Sequence, residues 1–121
     1  VDALGNPTSF LLTSGAAHDL EGADKLLAEV KADTIIADKG FDADERVIKP
    51  LLKTGKTVVI PPRGCRKEKR DYDKELYKAR HLIENFFARL KQYRGIATRY
   101  DKIALNFLAG IYLAASVIWL N

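Results

Sequence analysis

The chain has no methionine, one cysteine and one tryptophan in 121 residues. A lone cysteine cannot close an intramolecular disulfide, and Cys65 stands among Arg66, Lys67 and Lys69 without the spaced His or Cys partners of a zinc site. A disulfide-stapled secreted module and a zinc module are both excluded, and a reducing, cytoplasmic setting fits. The N-terminus lacks the basic stretch followed by an apolar run that marks a secretory signal. With no methionine to start it, Val1 is either the beginning of a fragment or a literally translated alternative start codon. The residues that are plentiful, 47% hydrophobic and 30% charged, suit a single soluble domain with one core.

The net charge of +4 is unevenly spread. Residues 1–62 carry seven Lys/Arg against ten Asp/Glu, whereas residues 63–121 carry thirteen against six. Most of the basic excess lies between Arg63 and Lys102, where a polyanion could be held. A solvated loop and helix face would have the same composition.

Turn residues Gly5-Asn6-Pro7 between Val1–Leu4 and the strand formers Thr8–Thr13 predict a β-hairpin. Leu20, Ala23, Leu26, Leu27 and Val30 recur at helical spacing and predict an amphipathic helix from Asp19 to Val30. Thr34-Ile35-Ile36-Ala37 reads as a short buried strand that ends at Asp38-Lys39-Gly40. A second helix fits Asp44 to Lys53 and is closed by Gly55, and a second strand fits Thr57 to Ile60, stopped by Pro61-Pro62. This alternation predicts an α/β fold with parallel strands and crossover helices. Residues 63–73 are basic and aperiodic, as in an exposed loop, and a long helix is expected over 74–94, with Gly95 at its end. Residues 103–120 are almost wholly apolar. A membrane span is one reading, but Asn106 interrupts the run and an α/β sheet needs a covering helix, so a buried C-terminal helix is expected.

The long helix carries Tyr77, Arg80, Glu84 and Lys91, spaced Y-x2-R-x3-E-x6-K. On a continuous helix at about 100° per residue they share a narrow arc beside the apolar stripe of Leu76, Ile83, Phe87 and Leu90. Such a row can fix a carboxylate that holds a metal between cations that hold phosphates. It is equally compatible with an ordinary i, i+4 pair of Arg80 and Glu84 on a solvated face. Asp38 directly follows a strand, at the edge where open α/β sheets place ligands; a turn or capping aspartate would occupy the same position.

Asp38-Lys39-Gly40-Phe41-Asp42, Ile60-Pro61-Pro62-Arg63, the Tyr77/Arg80/Glu84/Lys91 signature and Ile96-Ala97-Thr98-Arg99-Tyr100-Asp101-Lys102 together resemble the C-terminal catalytic region of DDE insertion-sequence transposases, most closely the insertion-sequence-five group. The resemblance covers essentially the whole chain. It implies a ribonuclease-H-like α/β fold with a mixed sheet, DNA as partner at transposon ends and target, a homodimer in the complete enzyme, and two Mg²⁺ ions held by three acids for phosphodiester cleavage and strand transfer. By that resemblance Asp38 is the second acid and Glu84 the third, Tyr77, Arg80 and Lys91 contact transposon-end DNA, and Arg63 belongs to the basic DNA-binding stretch. The family's first aspartate lies on a first core strand upstream of the hairpin, so the resemblance implies a catalytic domain truncated at its N-terminus and completed by an upstream transposase segment. Asp2 is not that aspartate. The chain alone is then expected to be inactive. A DNA-binding remnant that regulates transposition, and a nuclease that cuts without joining, are the rival readings.

Overall fold

The computed structural model describes residues 1–13, 20–65, 67, 70–97 and 103–120. The expected start of the first helix at Asp19, parts of the basic loop at Arg66, Glu68 and Lys69, and Thr98 to Lys102 of the family resemblance lie outside the described residues. The chain divides into two compact units, Thr13–Arg80 and Val1–Leu12 with His81–Asn121. One core was the expectation from length; each unit instead buries its own apolar cluster.

In the first unit the order is α1 (Leu20–Glu29), β1 (Thr34–Ile36), α2 (Lys49–Lys53), β2 (Thr57–Val59) and α3 (Lys74–Tyr77). The expected α/β class holds. The strands pair parallel, Ile35 opposite Val58, in a two-stranded sheet. A one-turn π segment, Asp44–Ile48, precedes α2. Pro50 supplies a reason: it has no N–H to donate to the Arg46 carbonyl, and its ring crowds that carbonyl, so the turn before it widens and Ile48 N–H reaches Ala43 O at 2.9 Å. At the other end, Gly55 (φ 78°) adopts the left-handed conformation. Lys56 N–H then bonds to Leu51 O and Gly55 N–H to Leu52 O, a Schellman closure. Ala23, Ile35, Val47, Ile48, Leu51 and Ile60 form the cluster.

Ile60 has no exposed surface. Ile60→Ala is expected to cost about 2–5 kcal/mol of unfolding free energy. Leu52→Ala, at a residue 54% exposed, should cost about 0.5 kcal/mol or less. Urea unfolding followed by circular dichroism separates the two, and equal losses would contradict this placement of the core.

The second unit is helical: α4 (His81–Leu90), α5 (Arg94–Ala97) and α6 (Ala104–Leu120). The hairpin expected at its start does not form. Asp2 instead closes a turn, its Oδ1 accepting the N–H groups of Leu4 and Asn6, each at 2.9 Å. The Asn6 bond above all holds the Asp2 carboxyl below its ordinary pKa. Phe10 and Leu12, expected in a strand, pack against the helical cluster. Phe10 meets Phe86 at 5.8 Å and the edge of Tyr112 at 5.3 Å between ring centroids.

Helix α6 was expected to be buried, and only a stripe of it is. Ile111, Ala114, Ala115 and Ile118, at i, i+3, i+4 and i+7, pack with Phe86 and Leu90 of α4. Leu105, Leu113 and Leu120 are exposed, because α4, Ile96 of α5 and the N-terminal residues Phe10 and Leu12 leave part of an all-apolar cylinder uncovered. Among the described residues, no helix is long and apolar enough to cross a membrane.

Candidate active site

Parallel pairing makes β1 and β2 finish at the same edge of their sheet, and irregular backbone follows each strand. Asp38 comes two residues after β1 and caps the 3-10 turn Lys39–Phe41, its Oδ1 accepting the Gly40 N–H at 2.8 Å. A side chain at position 40 would put Cβ 2.9 Å from that same oxygen. Glycine is what lets the carboxylate lie over its own turn. Gly40→Ala is therefore expected to displace the Asp38 carboxylate while leaving the cluster around Ile60 intact. A changed Asp38 carboxyl ¹³C shift beside unchanged core methyl resonances is the check.

After β2, Pro61-Pro62 ends the ladder and delivers Arg63. Its Nε donates to Lys39 O at 3.3 Å and a terminal nitrogen to Gly40 O at 2.7 Å. Its backbone N–H donates to Asp42 Oδ2 at 2.8 Å. The other Asp42 oxygen takes Arg70 at 3.0 Å, and Arg70 also donates to Ile60 O at 2.8 Å. The Asp42 side chain is 1% exposed and that of Arg70 21%. Sequence reasoning assigned neither residue a role. Asp42 lay inside the quoted motif, but nothing in the pattern points to a partner so far along the chain.

Asp73 starts α3 by accepting the N–H groups of Glu75 and Leu76, each at 3.0 Å. The continuous helix expected over 74–94 is broken: α3 passes into a 3-10 turn, Lys78–Arg80, and α4 begins at His81. Residues three apart eclipse in 3-10 geometry. Tyr77 and Arg80 accordingly face one side and line, with Asp38, Arg63 and Tyr72, a groove of about 740 Å³. Tyr72 and Tyr77 meet edge to face at 5.7 Å. Arg80 stands 3.9 Å from Asp38 Oδ2, an ion pair on side chains 33% and 39% exposed. Among the described residues, the lining holds the cations Lys39, Arg63 and Arg80 and the carboxylate of Asp38. That balance suits an anionic ligand, with Arg able to grip phosphate oxygens in a fork.

In the other unit, Glu84 is an exposed residue in the first turn of α4, and Lys91 follows the helix end, its N–H bonded to Phe87 O at 3.0 Å. Seven residues apart, they share one side of that helix. Of the expected site residues, the first unit thus brings together Asp38, Tyr77, Arg80 and Arg63, and the second aligns Glu84 with Lys91. No cluster of three His, Cys, Asp or Glu side chains suited to a metal occurs among the described residues. In kind, Asp38 fits a hard divalent cation, because such ions take carboxylate oxygens and its Oδ2 belongs to a partly exposed side chain on the groove.

A carboxylate and cations thus share one groove beyond the end of a parallel strand pair. The chain belongs to the DDE transposase family: the sequence model of the transposase DDE domain matches residues 1–119. A Brucella ovis protein named as a candidate transposase for insertion sequence element IS6501 is 38% identical over 124 aligned positions, which span 100% of this chain and 94% of that protein. No solved structure matches the chain.

Proposed function

We propose that the chain acts in metal-dependent phosphodiester cleavage and strand transfer at the ends of an insertion sequence, within the insertion-sequence-five group of DDE transposases and on a ribonuclease-H-like core. The observation that carries this reading is the groove where Asp38 meets Arg80 and Tyr77. Asp38 and Glu84 are the acids that would hold a pair of Mg²⁺ ions, which when bound activate the attacking oxygen and stabilise the leaving one. Arg80 binds and orients a phosphate at the groove, and Tyr77 offers an aromatic surface and a hydroxyl beside it. Lys91 adds a point charge on the side of α4 that carries Glu84. None of these groups reads bases, so binding here rests on the DNA backbone.

The test is DNA binding across a salt series. In the complete enzyme, Arg80→Ala and Lys91→Ala should each weaken binding similarly on all sequences and reduce the slope of log affinity against log salt by about 0.9. Lost discrimination with an unchanged slope would count against backbone contact. Mg²⁺-dependent cutting followed by joining supports the transposase reading. In the complete enzyme, cutting without joining identifies a nuclease, and binding without any cutting identifies a regulatory remnant.

A further inference from the structure

The segments that follow β1 and β2 are tied to each other in both directions. From the first, the buried Asp42 carboxylate gives one oxygen to the backbone N–H of Arg63 and the other to Arg70, at 2.8 and 3.0 Å. From the second, the Arg63 side chain reaches back to the carbonyls of Lys39 and Gly40. Arg70 completes the loop by donating to Ile60 O, at a residue with no exposed surface. The grip falls where it matters: Gly40, held by its carbonyl, is also the residue whose N–H orients Asp38 Oδ1. The Arg63 side chain, read from sequence as a DNA contact, spends two of its donors on this turn.

We propose that Asp42, Arg63 and Arg70 are positioning residues, a clamp that fixes the Asp38 carboxylate for a divalent cation. This inference rests on the reading of Asp38 as a metal-holding acid. Partners one step removed from a metal ligand commonly set affinity by 10- to 100-fold, through the ligand they orient and not through the ion. The sign of one effect separates the clamp from plain electrostatics. Removing a cation beside a metal site should tighten cation binding, whereas removing a clamp should weaken it.

The experiment uses the full chain, ¹⁵N-labelled and titrated with Mn²⁺, a paramagnetic ion that takes the same oxygen ligands as Mg²⁺. Broadening of the Gly40 amide reports binding, and a melting curve accompanies each variant. Asp38→Asn should abolish the broadening; if it does not, the metal reading fails whatever the clamp does. With that control in place, Arg63→Ala is expected to raise the half-saturating Mn²⁺ concentration about tenfold with melting unchanged, and Arg63→Lys to lie between it and the parent. Mn²⁺ binding in Arg63→Ala that equals or exceeds the parent overturns the clamp and leaves the metal reading standing. Asp42→Asn should weaken binding as well. Because Asp42 is buried, that variant can fail to fold, and the exposed Arg63 then decides the question.

Discussion

Within the transposase as the cell makes it, Asp38→Asn is expected to lower transposition about a thousandfold while leaving DNA affinity equal or tighter. The magnitude follows from the charge work assigned to the cation. A bound divalent ion supplies several kcal/mol of transition-state stabilisation, and each 1.36 kcal/mol is about a factor of ten in rate. The direction of the affinity change follows from the groove, where Asp38 is the carboxylate among the described lining residues, beside Lys39, Arg63 and Arg80. Removing that negative charge removes its repulsion of phosphate. Transposition frequency and duplex binding of the same variant are the measurements. A variant that transposes normally, or that loses DNA binding in step with activity, would show that Asp38 does not act as a metal-holding acid.

Asp42→Ala is expected to cost about 3 kcal/mol of stability, from the lower end of the range for breaking a buried ion pair. The lower end applies because the Arg70 side chain remains 21% exposed and regains some water. The Arg63 N–H and the Arg70 guanidinium lose this acceptor together. Adding Arg70→Ala to Asp42→Ala should recover part of the loss, since the charge left without its carboxylate is then gone. Urea unfolding of the two single variants and the double variant tests the coupling. A loss under about 1 kcal/mol, or strictly additive effects, would mean that the pair is not the link between the two strand-ending segments.

How far the sequence reaches depends on whether a feature is local. Strands β1 and β2, the glycine closure at Gly55 and the proline stop at Pro61-Pro62 were legible because apolar runs and punctuating residues act within a few positions. The edge position of Asp38 followed from them. The break at Lys78–Arg80 was not legible: Lys78, Ala79 and Arg80 all suit an α-helix, so nothing in the pattern separates a 3-10 turn from another α turn. The continuous arc expected for Tyr77, Arg80, Glu84 and Lys91 depended on that α register. Thr8–Thr13 contains good strand formers, yet a strand needs a partner ladder, and Phe10 and Leu12 are satisfied by packing on helices instead. The all-apolar pattern of α6 gave no face to choose. Burial there is decided by which neighbours arrive, α4 with Ile96 of α5 and Phe10 and Leu12 of the N-terminal segment, and they leave Leu105, Leu113 and Leu120 exposed. Asp42 and Arg70 were unreadable for a different reason, because their pairing exists only once two parallel strands finish side by side.

The most direct measurement of the central claim is metal-directed cleavage of the polypeptide. Fe²⁺ exchanged into the site, with ascorbate and peroxide, generates hydroxyl radicals that cut the backbone near the bound ion and need no enzymatic turnover. The account predicts cuts confined to the neighbourhoods of Asp38 and Glu84, suppressed by excess Mg²⁺ and absent in Asp38→Asn. Cuts that fall elsewhere, or that persist in Asp38→Asn, would contradict it.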